Sequence, residues 1–201
     1  MIVFSCFSPH PPLLLPEVSS EKDRKKVKKT LEALAVLARR FKEADPDSII
    51  ISSPHSDWGF NVPLRLLTKG FKGKIRYYLT GFEAPELYFE EGKRFYQKIK
   101  QRKTALIASG DMSHCLKENG PYNFHPDGPK FDAKLIEYLK NKNIKNLLRL
   151  DEMYPDAGEC GLRSFCFVLG IMEAAKIKWQ PEILSYEGPF GVGYLVAGFK
   201  I

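Results

Sequence analysis

One element occurs twice in this chain and limits what it can fold into: a short apolar run that leads into Ser-Pro-His. IVFSCF at 2–7 runs through Ser8 and Pro9 to His10, and SIIIS at 48–52 runs through Ser53 and Pro54 to His55. Apolar runs of this length suit strands covered on both faces. The consecutive prolines Pro11 and Pro12 remove backbone donors and stop any ladder just past His10. Between the two runs, Val27, Leu31, Leu34, Ala35, Ala38 and Phe41 recur at helical spacing, and Ser20 with Asp23 resembles a capping box. One helix is therefore predicted over 19–44, ended by Asp45-Pro46-Asp47. Strand, helix and strand read as a βαβ unit, with both histidines beyond the carboxyl ends of parallel strands, where open sheets place ligands.

The alternation continues. Strands are predicted over 75–79 and 104–108 with a helix over 85–99 between them, followed by helices near 131–139 and 144–150 and an apolar helix over 158–175. The tail reads as two closing strands, 183–187 and 193–199, joined by Gly188-Pro189-Phe190-Gly191. A chain of 201 residues supports one substantial core rather than two small ones. The expectation is an α/β single domain over 1–201, with a mostly parallel central sheet flanked by helices and a metal site at the carboxyl ends of the strands.

Composition excludes several classes. Hydrophobic residues at 44% and charged residues at 27% argue against disorder and fibrous repeats. The apolar runs at the start are short, broken by proline and preceded by no Lys or Arg, unlike a signal peptide, and no stretch reaches membrane-spanning length. A cytoplasmic protein is expected. Cys6, Cys115, Cys160 and Cys166 have no CxxC pairing and are expected as free thiols. Much of the +7 net charge sits in one run, Lys22, Arg24, Lys25, Lys26, Lys28 and Lys29, at a helix start, without interleaved aromatics. That describes a solvated helix face rather than a nucleic-acid surface. No GxGxxG, P-loop or GxSxG segment is present.

The chain holds four histidines, His10, His55, His114 and His125. Two neutral imidazoles and one carboxylate leave open positions on a six-coordinate ion. Glu159, between glycines in Asp156-Ala157-Gly158-Glu159-Cys160-Gly161, is the candidate third ligand. Its ordinary alternative is a helix-start carboxylate favoured by the macrodipole. Cys160 is the rival anionic ligand, and with two histidines it would favour zinc over ferrous iron. His114, after a strand in Ser109-Gly110-Asp111-Met112-Ser113-His114, has the character of an acid–base group. Asp111 either orients it or caps the next turn. His125, in a turn-rich loop, reads as rim.

Five segments, SPHPPLLLPEV, ISSPHS, ASGDMSH, AGECGLRS and SYEGPFGVGY, together resemble the LigB-like catalytic subunits of the class III extradiol ring-cleavage dioxygenase superfamily, in the prokaryotic branch associated with AMMECR1-type and Memo-like proteins. They run from residue 8 to residue 194, so the resemblance spans nearly the whole chain. It implies that His10, His55 and Glu159 hold Fe(II), with zinc as the alternative, and that His114 is the acid–base histidine, with Asp111 beside it. The reaction implied is ring cleavage of a small catecholic substrate by dioxygen, beside rather than between the hydroxyls. The resemblance further implies a homodimer, an AMMECR1-type or radical-SAM partner, and no nucleic acid or membrane. Two departures stand out. The region between Arg65 and Lys103 is shorter than in typical relatives and lacks their Asp-His-Gly segment, and Memo-like relatives carry cysteine where Glu159 is aligned. Loss of dioxygenase turnover, or a zinc hydrolase or redox function at Cys160, are the alternatives these departures raise.

Overall fold

The computed structural model describes residues 1–99 and 102–201. Six strands form one sheet: β1 (Ile2–Ser8), β2 (Ser48–Ser53), β3 (Lys74–Leu79), β4 (Thr104–Ser109), β5 (Gln180–Glu187) and β6 (Tyr194–Lys200). Their order across the sheet is β3-β2-β4-β1-β6-β5. The first four are parallel, and β6 and β5 close the sheet antiparallel. This is the expected α/β domain with a mostly parallel sheet. Within the βαβ unit, β4 enters between β1 and β2 and pairs with both.

The central strands alternate between two cores, as period-two geometry requires. Phe4, Cys6, Ile49, Ile51, Ala105 and Ile107 face α2 (Lys28–Ala44) and α3 (Trp58–Leu67), where Leu34, Leu37, Phe41 and Phe60 cover them. Phe7, Ile50, Leu106 and Ala108 face the other way, toward α5 (Asp127–Lys140) and α8 (Leu162–Ala174). Helix α4 (Pro85–Tyr96) packs on α8 in the same layer. The short helices α6 (Ile144–Leu147) and α7 (Leu150–Met153) lead into the 157–161 loop. Helices on both faces explain why these strands read as continuous apolar runs.

The helix predicted over 19–44 is two helices, α1 (Glu21–Lys26) and α2, broken at Val27. Ser20 does accept from Asp23 N at 3.1 Å and caps α1. The second start is capped from afar: Glu187, at the end of β5, accepts from Thr30 N and from Thr30 Oγ1, both at 2.7 Å. A carboxylate on an open first turn also complements the helix dipole. No local pattern announces a cap 157 residues away.

Three parallel strands, β1, β2 and β4, end on serine: Ser8, Ser53 and Ser109. Ser8 lies opposite Ser109, and Ser52 opposite Ala108, so these ends are level. Two residues beyond each terminal serine stand His10, His55 and Asp111. The register therefore delivers three polar side chains to one point above the sheet.

Candidate metal centre

Each group at this point is held by the backbone of another. His10 N donates to Asp111 Oδ1 at 3.1 Å, and Asp111 N donates to Cys160 Sγ at 3.3 Å. Gly161 N donates to Asp111 O at 2.9 Å, and Gly110 N to Ser8 O at 3.0 Å. A Cβ at Gly110 would lie 2.2 Å from Gly161 Cα, so only glycine lets the 157–161 loop approach the end of β4. Beyond β2, His55 N donates to Ser53 Oγ at 3.1 Å, a local turn that the Ser-Pro-His sequence supplies.

The donors converge. The ring atoms of His10 and His55 and Cys160 Sγ lie within 4.8 Å of one another, as do those of Asp111, His114 and Cys160. The His10 and His55 rings meet edge to face at 5.1 Å. Cys160 Sγ is 3.5 Å from His10 Nε2. Sulfur at roughly 2.3 Å and nitrogen at roughly 2.0 Å from one ion, set at the tetrahedral angle, would be about 3.5 Å apart. The donor set and its spacing thus fit a metal ion.

Glu159, one residue earlier, lies elsewhere. Its Oε2 accepts from Leu162 N at 2.7 Å and its Oε1 accepts from Arg163 Nη1 at 2.5 Å. Its carboxyl is the capping group of α8 and half of a buried ion pair, and it joins none of the donor groups. The expectation of a His10, His55 and Glu159 triad is corrected in this respect: the side chain facing the histidines belongs to Cys160. The signal was present in the sequence, since Arg163 follows Glu159 by four residues and Leu162 N by three, the spacings of a helix pair and a helix cap.

Burial disfavours charge on every ionisable group of the centre. Burial, and then the charge of His55, push the His10 ring down to about 3. Burial lowers His55 and His114 as well. Burial, followed by the Asp111 carboxylate, pushes the Cys160 thiol well up, and burial raises Asp111 to about 6. Neutral imidazoles carry free lone pairs, and a divalent cation would favour deprotonation of the thiol and the carboxyl.

His114 is half-buried, and its buried Nε2 has no hydrogen-bond partner. Its N–H donates to Ala157 O, and its ring lies 5.3 Å from that of Tyr122. Asp111 acts on it through charge, because the hydrogen bond of that carboxylate goes to His10 N. Trp58 lies 5.0 Å from the His55 ring and is part exposed, so aromatic faces flank the centre beside His55 and beside His114. Both aromatics escaped the sequence reading. Elsewhere, a groove of about 960 Å³ runs along the ends of α2 and α3, and a cleft of about 130 Å³ lies at the amino ends of the strands. Neither is lined by a residue of the centre, which is recognised by its donors and not by volume.

The family model for the catalytic LigB subunit of aromatic ring-opening dioxygenase matches residues 56–197. The chain belongs to the LigB family. The match begins one residue after His55 and contains Asp111, His114 and Cys160. Protein CA_C1420 of Clostridium acetobutylicum is 29% identical over 260 aligned positions, covering 92% of this LigB-family chain and 55% of the relative. The chain thus spans about half the length of that curated relative, and the alignment, longer than the chain itself, passes through residues that the chain lacks. The crystal structure of uncharacterized protein JW3007 from Escherichia coli K12 superposes with a TM-score of 0.52 at 14% identity, over 98% of this chain and 99% of the other, a likeness of fold alone. Among the described residues no helix is long and apolar enough to cross a membrane.

Proposed function

We propose that this LigB-family protein holds one divalent metal ion between His10, His55 and Cys160, and that with iron bound it opens the ring of a small aromatic diol using dioxygen. The observation that carries the reading is the convergence of two neutral imidazoles and a thiol within 4.8 Å at the level ends of parallel strands. Iron there supplies Lewis acidity and electron exchange with dioxygen. The protein's own groups do the rest. His114, kept neutral by burial and with Nε2 unpartnered, accepts a phenolic proton. Trp58 and Tyr122 offer planar faces to a planar substrate. Both oxygen atoms end in the ring-opened product, so no further reductant enters.

Iron-reconstituted protein given a panel of catechols should consume oxygen and form yellow ring-opened products. His114→Ala should keep its iron and lose turnover. Silence across the panel, with iron bound, would reject ring cleavage.

A specific observation favours a second reading, in which the protein binds zinc and works with a modification partner of the AMMECR1 or radical-SAM type without oxygen turnover. The third donor is a thiol, at a spacing that suits a tetrahedral ion, whereas ferrous oxygenases use a carboxylate. Stoichiometric zinc in protein purified without added metal, with no oxygen uptake after iron exchange, would select this reading.

A further inference from the structure

Helix α3 contains Pro63 in its interior. Proline has no N–H, so the carbonyl four residues back, that of Gly59, lacks the bond that residue 63 would otherwise donate, and the ring crowds that carbonyl. Gly59 O takes its hydrogen bond from a different element, because Ser109 Oγ at the end of β4 donates to it. A carbonyl can only accept, so the single hydroxyl proton of Ser109 is committed there. Ser109 Oγ is also 3.0 Å from His10 Nδ1. With its proton spent, Ser109 can only accept from His10, which places the His10 proton on Nδ1 and the free lone pair on Nε2.

We infer that Ser109, oriented by the carbonyl that Pro63 leaves open, is a positioning residue that fixes His10 as the Nδ1–H tautomer and aims the Nε2 lone pair at Cys160. The inference rests on the reading of His10 as a metal ligand only for its purpose; the tautomer itself is a property of the fold. The geometry around the relay leaves little freedom. Ser109 and His10 are buried. A Cβ at Gly59 would lie 2.1 Å from Ser53 Oγ and 2.9 Å from His55 Cβ, so the first turn of α3 is pressed against the second histidine motif. The relay therefore joins α3, β4 and the loop after β1, and it ties the lone pair of one histidine to the segment carrying the other. Histidines that ligate metals characteristically give their second ring proton to such a partner, and loss of the partner weakens metal binding by about 10- to 100-fold.

The test begins with wild-type protein free of metal. Two-bond nitrogen–proton couplings in histidine-labelled protein report each ring's tautomer, and with four histidines in the chain, His10→Ala assigns the signal. His10 is expected as Nδ1–H; observation of Nε2–H would overturn the inference. Zinc titration then compares Ser109→Ala with Ser109→Thr, which keeps the hydroxyl. Ser109→Ala should bind zinc about 10- to 100-fold more weakly and show a redistributed His10 tautomer, and Ser109→Thr should restore both. Equal zinc affinity in Ser109→Ala and wild type would overturn it. Should wild type bind no zinc or iron, the metal reading fails, and the tautomer alone decides the relay.

Discussion

Two groups of histidine and acid lie near the carboxyl ends of the strands, and they differ in what their hydrogen bonds leave over. In the group around His10, Nδ1 lies 3.0 Å from Ser109 Oγ and the ring's other nitrogen faces Cys160 at 3.5 Å. In the group of His125, Asp127 and Asp156, also close enough together to suggest an ion, Asp127 N donates to His125 Nδ1 at 3.3 Å. That nitrogen is used up, and the other, Nε2, lies 3.9 Å from Asp156. The His125 ring is also 41% exposed, against 2% for His10. Proximity of ligating residue types is common. A site needs partners that turn the lone pairs inward and a shell that keeps water away, and only the strand-end group has both.

The sharpest way to break this comparison is to remove one donor from each group. Cys160→Ala should weaken metal binding by more than the roughly 100-fold expected for loss of an outer partner, while His125→Ala leaves affinity unchanged and stability within about 0.5 kcal/mol. Equal losses by titration calorimetry would erase the distinction. Next in size, Gly110→Ala forces a Cβ onto Gly161 Cα and should cost about 3 kcal/mol in urea unfolding, with metal affinity falling alongside. Full stability in that variant would show that the 157–161 loop is not held where it must be for Cys160 to reach the histidines.

Glu159→Gln sharpens the comparison from within one loop. It should cost about 2 kcal/mol by weakening the buried pair with Arg163 and yet leave metal content intact. A pH effect concerns Asp132 in α5, whose Oδ1 accepts from Ser113 N at 2.8 Å and whose Oδ2 accepts from Tyr186 at 2.6 Å, anchoring the His114 loop. Burial raises this carboxyl from 3.8 to about 7, opposed by those two hydrogen bonds. The native state thus keeps a proton that the unfolded chain has released, so stability falls as pH rises between those values. Asp132→Asn should flatten the unfolding midpoint across this window; an unchanged slope would mean that Asp132 titrates normally.

Much of the fold was legible because parallel strands and amphipathic helices leave periodic marks. The strand ends that carry His10 and His55, the position of His114 past a strand and the two closing strands were readable from short runs and their punctuation. What escaped reading depends on distant chain. Helix α3 was missed because Gly59 and Pro63 are helix breakers by local preference, and only packing against Ser53 and Ser109 makes sense of them. The pairing of β1 with β4 could not be seen from neighbours in sequence. Glu159 and Cys160 are neighbours with equal claim as ligands by residue type, and the Glu159 to Arg163 spacing, that of a capped, paired helix start, is the local mark that separates them.

The most direct test of the centre is elemental analysis of anaerobically purified protein beside four variants. About one metal ion per chain is expected in wild type and in Glu159→Gln, with loss of that metal in His10→Ala, His55→Ala and Cys160→Ala and the fold retained by circular dichroism. Metal kept without Cys160, or lost when only Glu159 is changed, would contradict a centre built on the two histidines and the thiol.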